Sequence, residues 1–249
     1  MILTKCIRLL YDSLLTLALP QPCIICTRSV ETTALGVACE DCWRLTHVFS
    51  GKETMCWKCG TPSPGIVAET KRTEVRCGRC DSYEFTTVRS CGVYDGVLRE
   101  TVLSLKRQPK LADKVLALMT KIALQDPLAE STSIVPVPLH AERQKVRGFN
   151  QASVIARSLS APLRLPINEI SLIRSHHAEK YRAGLDAKGR AETVAQAFEV
   201  NHPKLVLGEK ILLVDDVFTT GATAAACSRV LLEAGAEKVF VLTIARTAR

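Results

Sequence analysis

The clearest hydrophobic pattern in the chain is an unbroken apolar run at 211–214 that directly precedes two carboxylates, Asp215 and Asp216. Such a run predicts a strand that is buried on both faces of a parallel sheet. Carboxylates are almost never buried without a partner, so the two aspartates mark the point where this strand leaves the core. Alanines and leucines over 222–234, followed by Gly235, predict a helix with a glycine C-cap. The order strand, loop, helix places a candidate site at the loop.

Further strands and helices follow from apolar runs and capping residues in the second part of the chain. The predicted strands cover 90–94, 134–138, 210–215 and 238–244, and the predicted helices cover 95–105, 111–124 and 222–234. Strands that alternate with helices are typical of a doubly wound α/β domain with a mainly parallel sheet. In such a domain the functional site lies beyond the carboxyl ends of the strands.

The N-terminal residues carry apolar side chains at spacings of three and four, at Leu3, Ile7, Leu10, Leu14 and Leu17. This spacing predicts an amphipathic helix over 1–19 that ends before Pro20. Charged residues interrupt its apolar stretch, which is too short to span a bilayer, so we expect no transmembrane span. No small-residue cleavage site follows, so we expect no signal peptide. The helix is expected to pack on the protein itself, and a partner or a membrane surface is the alternative.

Eight of the eleven cysteines form four C-x-x-C pairs, which changes the picture of the N-terminal third. The pairs are Cys23/Cys26, Cys39/Cys42, Cys56/Cys59 and Cys77/Cys80. Each pair places two sulfurs on one side of a turn, and two such knuckles complete a tetrahedral thiolate site for zinc. Separations of 12 and 17 residues predict a double zinc ribbon over 20–85 with two structural zinc ions. The sequence leaves the pairing of the four knuckles open.

Redox-active pairs are the alternative to zinc. Four C-x-x-C pairs in a row without a surrounding βαβ pattern are unlike a redox domain, however. Reduced cysteines indicate a cytoplasmic location. The three remaining cysteines, Cys6, Cys91 and Cys227, are interpreted as small buried hydrophobic residues.

The net charge of +8 indicates an anionic ligand or partner, with a solvated basic surface as the alternative. An excess of +6 falls within 91–249, which holds 22 basic and 16 acidic residues and also contains the candidate site. Single-stranded nucleic acid is one such partner, since Trp43 and Trp57 lie among basic residues of the ribbons and aromatic rings stack on bases. The favoured interpretation of both tryptophans is that they cover the small zinc cores.

The loop at 219–223 combines Gly221 with three hydroxyl side chains, Thr219, Thr220 and Thr223. A short loop that opens a helix directs backbone N–H groups at one spot and binds phosphate there. Two carboxylates beside such a loop fit the hydroxyls of a sugar 5'-phosphate. A core strand that ends in a capped helix with solvated carboxylates is the alternative, but a cap needs only one such side chain.

The thirteen residues 211–223 resemble the phosphoribosyl pyrophosphate signature of type I phosphoribosyltransferases. This resemblance implies that Asp215 and Asp216 face the ribose hydroxyls and act as the catalytic residues. It implies that the rest of the phosphoribosyl group is bound by Val217, Thr219, Thr220, Gly221, Ala222 and Thr223. Oxygen ligands and phosphates favour Mg²⁺ as the accompanying ion.

A strongly basic loop over 139–150 follows the predicted strand at 134–138. It contains His140, Arg143, Lys145 and Arg147. Four such groups in one short loop predict a lid over a polyanion. An exposed basic loop without a ligand is the alternative.

The residues around this loop extend the resemblance to the ComF family. The matching residues are Pro136-Val137-Pro138, the run Arg147-Gly148-Phe149-Asn150-Gln151-Ala152, Tyr94-Asp95-Gly96, Arg99, Lys106 and the double ribbon. This family joins an N-terminal zinc module to a phosphoribosyltransferase-like domain, so the resemblance implies divisions at 1–19, 20–85 and 86–249. It also implies a pyrophosphate side formed by Val137, Pro138, Arg143, Arg147 and Lys106.

One segment departs from the family pattern. Arg182 and Thr193 stand where the family usually carries Gln and Asn. The segment is expected to shape the acceptor side, so the acceptor stays open. His176 and His177 lie nearby and are interpreted as part of a solvated loop, with proton transfer as the alternative.

The ComF resemblance implies a protein that binds phosphoribosyl pyrophosphate or a related nucleotide and serves DNA uptake in natural transformation. As an enzyme it would displace pyrophosphate from the anomeric carbon of ribose with a nitrogen nucleophile. The alternative keeps the fold without the chemistry, as an adaptor that binds single-stranded DNA or other DNA-uptake proteins. A third hypothesis is a zinc-dependent assembly module whose partner surface lies on the N-terminal helix.

Overall fold

The computed structural model describes residues 21–174 and 197–248. Several sequence predictions lie outside these residues, namely the helix over 1–19, Cys6, the histidine pair at 176–177, Arg182 and Thr193. Within the described ranges, no helix is long and apolar enough to cross a bilayer.

Two cysteine-rich segments, the first ribbon at 21–48 and the second ribbon at 49–85, come first in the described chain. They contain one short α-helix, α1 at Glu40–Leu45, and otherwise consist mainly of turns. Backbone hydrogen bonds hold each knuckle, as where the Cys56 N–H donates to the carbonyl oxygen of Thr61 at 2.8 Å. Segments with so little regular structure depend on other interactions, such as metal binding, for their stability.

The rest of the described chain forms an α/β domain. Its strands are β1 at Thr87–Val93, β2 at Ser133–Pro136, β3 at Leu172–Arg174, β4 at Phe198–Val200, β5 at Lys210–Phe218 and β6 at Lys238–Arg246. Its helices are α2 at Gly96–Leu105, α3 at Asp113–Ala123, α4 at Ala141–Arg147, α5 at Gln151–Leu163 and α6 at Ala222–Glu233. The main sheet is parallel throughout, in the order β1, β6, β5, β2, while β3 and β4 form an antiparallel pair. The predicted α/β class is confirmed.

Side chains of β5 alternate between two hydrophobic clusters, because successive residues of a strand point to opposite faces. Leu212 and Val214 pack with residues of α2, α3 and α5. Ile211 and Leu213 pack with residues of α6. The first ribbon contributes its buried cysteines to the former cluster and the second ribbon to the latter. The two ribbons therefore pack against opposite faces of the same sheet.

Three local features differ from the sequence prediction. β5 continues through both aspartates to Phe218, because Asp215 and Phe218 pair with residues of β6. The basic loop contains the short helix α4, which is capped where the Glu142 N–H donates to Nδ1 of His140 at 3.2 Å. Helix α5 was not predicted, because serines and Pro162 obscure its apolar spacing.

Candidate functional site

The paired cysteines form two clusters, one in each ribbon, and this fixes the pairing that the sequence left open. The first zinc cluster consists of Cys23, Cys26, Cys39 and Cys42, and the second of Cys56, Cys59, Cys77 and Cys80. Neighbouring Sγ atoms lie 3.5 to 3.7 Å apart in both clusters. A disulfide needs about 2.05 Å, whereas tetrahedral zinc with bonds of about 2.3 Å needs about 3.8 Å between sulfurs. Both clusters therefore fit structural zinc.

The two ribbon tryptophans have different surroundings. Trp43 is 4% exposed, lies in the core that holds the first zinc cluster, and donates from Nε1 to the Leu35 carbonyl at 3.0 Å. It covers a zinc core, as predicted. Trp57 is partly buried, and the guanidinium of Arg89 lies 4.8 Å from its ring centroid. This face of Trp57 is taken by a cation of β1 rather than open to a nucleic-acid base.

Asp215 and Asp216 lie near the carboxyl end of β5, and both are partly buried. Oδ1 of Asp215 accepts a hydrogen bond from the Asp216 N–H at 2.8 Å. Oδ2 of Asp216 lies 3.4 Å from Nζ of Lys106, the C-cap residue of α2. The family resemblance implied that Lys106 lies on the pyrophosphate side, and the structure places it beside Asp216.

The two carboxylates differ in their electrostatic environment. Burial raises the pKa of Asp215 from its ordinary value of 3.8 to about 8, and repulsion from Asp216 acts in the same direction. Lys106 opposes the shift but forms its ion pair with Asp216. A partly buried carboxylate with a strongly raised pKa is typical of a functional site that binds a hydrogen-bond donor or a cation.

The loop between β5 and α6 opens the helix, as predicted. Gly221 is the N-cap and has a left-handed φ of 90°. A Cβ added at Gly221 would lie 2.9 Å from the rings of Phe218 and Tyr83, so a larger residue does not fit. Oγ1 of Thr220 accepts from the Ala222 N–H at 3.3 Å. The backbone turn that the phosphate hypothesis requires is therefore present.

One small cavity joins the predicted phosphoribosyl residues to the neighbouring strand. Its lining includes Val137, Asp215, Val217, Thr219, Gly221 and Thr223. Val137 follows β2 and is fixed at both backbone groups: its N–H donates to the Val214 carbonyl at 3.0 Å, and its carbonyl accepts from Nδ2 of Asn150 at 2.9 Å. The structure therefore places Val137 beside Asp215 in one cavity.

The other predicted pyrophosphate residues lie apart from this cavity. Pro138 lines a separate cavity of about 770 Å³ with residues of α5 and β3. Arg143 is exposed on α4, and Arg147 lies at the end of that helix. Among the described residues, neither arginine lines the cavity that contains Asp215, and neither forms an ion pair with Asp215 or Asp216.

Sequence analysis missed two residues beside the loop: Tyr83, which contacts it, and Arg246, which contacts Phe218 just before it. Tyr83 Oη donates to the Thr220 carbonyl at 3.1 Å. Arg246 is 2% exposed, and its guanidinium lies 5.4 Å from the Phe218 ring. A tyrosine just after the last knuckle and an arginine that ends an apolar strand are the only sequence signals, and neither reveals its distant partner.

Comparison with known proteins agrees with the zinc clusters and covers nearly the whole chain. A family model described as a double zinc ribbon domain matches residues 14–87. The chain is 30% identical over 233 residues to Competence protein F of Haemophilus influenzae, which covers 90% of this chain and 96% of that protein. It is 28% identical over 239 residues to DNA utilization protein YhgH of Escherichia coli K12, with 93% and 99% covered. Identity to Competence protein ComFC of Bacillus subtilis is 29%, with 82% and 89% covered.

Solved structures align more loosely. A glutamine phosphoribosylpyrophosphate amidotransferase from B. subtilis aligns with a TM-score of 0.38 and 17% identity, over 57% of this chain and 30% of that chain. A phosphoribosylpyrophosphate synthetase from Mycobacterium smegmatis aligns with a TM-score of 0.31 and 18% identity, over 52% and 33%. At such scores, the strand order and the loop geometry rather than these alignments carry the structural argument.

Proposed function

The chain belongs to the ComF family, and from this premise we propose that it binds phosphoribosyl pyrophosphate with Mg²⁺ and serves DNA uptake. Competence protein F and ComFC are named for competence, and YhgH for DNA utilization. The proposal carries that role to this chain. It includes a cytoplasmic location, since thiolate zinc clusters require reduced cysteines. It also includes the division into 1–19, 20–85 and 86–249.

One observation carries the ligand proposal, namely that Asp215 shares a cavity with the loop that opens α6. Burial raises the pKa of this carboxyl, and the ion pair of the neighbouring Lys106 is made with Asp216 instead. A ribose hydroxyl donating to Asp215 would add a second hydrogen bond to the one that this carboxyl accepts from the Asp216 N–H. The amide-lined helix start beside it fits a 5'-phosphate.

The proposed roles follow from these positions. Backbone N–H groups of 219–223 hold the 5'-phosphate, and Asp215 and Asp216 orient the ribose through its hydroxyls. Lys106 and the backbone of Val137 face the pyrophosphate. Bound Mg²⁺ would neutralise charge on the leaving pyrophosphate. A nitrogen nucleophile that displaces pyrophosphate from the anomeric carbon is the reaction this arrangement favours.

Calorimetric titration of the zinc-loaded protein with phosphoribosyl pyrophosphate tests the proposal. We expect binding of about one ligand per chain that is strong with Mg²⁺ and weak without it, because the ion screens the pyrophosphate from the aspartates. Ribose 5-phosphate, which lacks the pyrophosphate, serves as the control and should bind weakly with little dependence on Mg²⁺. The proposal fails if the folded, zinc-loaded protein does not bind phosphoribosyl pyrophosphate.

A groove beside the loop favours a second candidate function, the binding of single-stranded DNA. Its lining includes Arg76, Arg79, Tyr83 and Thr220 and also the four cysteines of the second zinc cluster, so the groove passes over the zinc site. Both arginines are exposed, and arginines along a groove hold a phosphate backbone. This candidate corresponds to the adaptor hypothesis and uses the ribbon rather than the carboxylates.

Fluorescence anisotropy with a labelled single-stranded oligonucleotide tests this candidate. Replacing Arg76 and Arg79 with glutamine should weaken binding and reduce the slope of log affinity against log salt by about 1 to 2. Lys52 and Lys71 are exposed on the same ribbon outside the groove lining, so their glutamine variants are matched controls. Equal losses in both pairs would indicate general attraction to a basic surface instead of a groove.

A further inference from the structure

Residues 219–223, which we call the phosphate loop, are contacted by a residue of the second ribbon. Tyr83 Oη donates to the Thr220 carbonyl at 3.1 Å, in the middle of the loop. The Tyr83 ring also lies against Gly221, where an added Cβ would come within 2.9 Å of it. Because the peptide unit is planar, a hydrogen bond that fixes the Thr220 carbonyl also fixes the orientation of the N–H in the same peptide. Tyr83 therefore helps to set the direction in which the loop amides point.

The Tyr83 backbone is in turn attached to the second zinc cluster. Its N–H donates to the carbonyl oxygen of Cys80 at 3.1 Å. Tyr83 is thus three residues from a zinc ligand and in direct contact with the phosphate loop. The ring centroid of Phe85 lies 5.4 Å from that of Tyr83 and 6.1 Å from that of Phe218, so an aromatic cluster extends this contact to the end of β5.

A second route from the same cluster runs through Arg246. Nη1 of Arg246 donates to the Cys59 carbonyl at 2.5 Å, and Nη2 donates to Oγ1 of Thr61 at 2.7 Å. The guanidinium also lies 5.4 Å from the Phe218 ring, at the residue where β5 ends and the loop begins. Two separate contacts therefore join the second zinc cluster to the middle of the loop, through Tyr83, and to the end of β5 where the loop begins, through Arg246.

The first zinc cluster has different neighbours. Its ribbon packs with α2 and α3 on the other face of the sheet, where Nζ of Lys114 lies 2.9 Å from Glu40 and 5.2 Å from the Trp43 ring centroid. Gly36 approaches α3 as well, since a Cβ there would lie 2.6 Å from the Ala112 Cβ. The chain therefore contains a zinc cluster beside the loop and a comparable one elsewhere.

We propose that the second zinc cluster positions the phosphate loop through Tyr83 and Arg246, so that ligand affinity depends on zinc at the second cluster and not at the first. The part of this inference that concerns ligand affinity rests on the proposed binding of phosphoribosyl pyrophosphate. Tyr83 is a positioning residue, because it acts on the ligand through the loop. The first cluster stabilises the fold without setting the loop.

Matched cysteine variants test the difference between the clusters. Cys26 and Cys77 are the partly exposed ligands of the first and second clusters, so Cys26→Ser and Cys77→Ser are comparable changes. We expect each variant to lose about one zinc ion by elemental analysis. Cys77→Ser should bind phosphoribosyl pyrophosphate about 10-fold or more weakly, as expected when a charge-assisted contact is lost. Cys26→Ser should stay within about 2-fold of the wild type. Equal losses of affinity would overturn the proposal.

Hydrogen exchange supplies a measurement that needs no ligand. Two amides donate to carbonyls at the borders of the loop: the Ala225 N–H donates to that of Gly221 at 2.8 Å and the Thr247 N–H donates to that of Phe218 at 3.1 Å. In the zinc-loaded protein these two amides should exchange slowly, and Cys77→Ser should speed their exchange more than Cys26→Ser does. Equal exchange in the two variants contradicts the coupling. If the wild type fails to bind phosphoribosyl pyrophosphate, the proposed function fails, while the exchange comparison still decides the coupling.

Substitutions at Tyr83 keep the test independent of zinc loss. Tyr83→Phe removes the hydrogen bond to Thr220 but keeps the ring against Gly221, and Tyr83→Ala removes both. We expect affinity to fall by about 3-fold to 10-fold in the phenylalanine variant and further in the alanine variant. Zinc content and melting temperature should be unchanged in Tyr83→Phe, so a structural defect does not account for the loss. Wild-type affinity and loop exchange in Tyr83→Phe would contradict the proposal.

Discussion

Replacing Asp215 and Asp216 together with asparagine is expected to abolish the binding of phosphoribosyl pyrophosphate while leaving the protein folded. A ribose hydroxyl that donates to Asp215 favours the ionised carboxylate in the complex. Hydrogen bonds to a charged acceptor contribute about 1.5 to 3 kcal/mol each. Loss of two such acceptors lowers the affinity by at least about 100-fold. Calorimetric titration in the presence of Mg²⁺ measures this loss. Binding that survives in the double variant would show that the ligand lies elsewhere.

The single change Asp215→Asn should also stabilise the folded protein in a defined pH window. Burial raises the pKa of Asp215 from 3.8 to about 8. Between these values the folded state keeps a proton that the unfolded state has released, so the free energy of unfolding of the wild type falls as the pH rises. Above about pH 8 both states are ionised and the loss is complete. Asparagine does not titrate, so the advantage of the variant grows from about pH 4 to pH 8.

The size of this advantage follows from the linkage. For a fully buried carboxyl, the free energy of unfolding of the wild type would fall by about 1.4 kcal/mol per pH unit across this range. Asp215 is partly in contact with solvent, which reduces the change, so we expect Asp215→Asn to be about 2 kcal/mol more stable than the wild type at pH 8. Thermal melts of the two proteins at a series of pH values should differ by about 5 °C at the upper end. Asp216→Asn is the control, because it loses the ion pair with Lys106 and removes only the repulsive part of the Asp215 shift, so its gain in stability should be smaller than that of Asp215→Asn. A constant difference in melting temperature across this range would contradict the raised pKa.

Removal of both zinc ions is expected to eliminate cooperative unfolding of the whole protein. The two structural zinc ions together contribute an apparent ~10 kcal/mol or more, roughly the entire stability of an ordinary domain, so the removal of both has a far larger effect than the loss of one. Buried cysteines of both clusters belong to the cores on the two faces of the sheet, so their loss is not confined to the ribbons. The α/β domain should therefore lose much of its packing as well.

Differential scanning calorimetry with and without a strong chelator measures this effect. The untreated protein should contain about two zinc ions per chain and show one sharp transition. Chelation should broaden or remove that transition, and added zinc should restore it. A sharp transition that persists at the same temperature after complete zinc removal would show that the ribbons fold on cysteine packing alone.

Local patterns carried most of what the sequence revealed. The apolar run before Asp215 and the C-x-x-C spacings are properties of short segments, so the central strand, the loop and the zinc clusters were predictable. The sequence predicted that β5 ends at Asp215, but pairing with β6 extends the strand to Phe218. That pairing depends on residues far along the chain, so no local pattern could reveal it. The contact of Arg246 with Cys59 spans 187 residues, and no local pattern encodes it.

The strand order of the sheet sets the order in which the site can be assembled. β6 follows every other strand of the described chain, yet it lies between β1 and β5. During synthesis β1 therefore has no neighbour in the main sheet until β6 emerges from the ribosome, whereas each pair of zinc knuckles is complete long before. Metal can enter the ribbons first, and the newly inserted β6 then brings Arg246 to a knuckle that is already closed. The last strand to be made joins the early and late halves of the molecule.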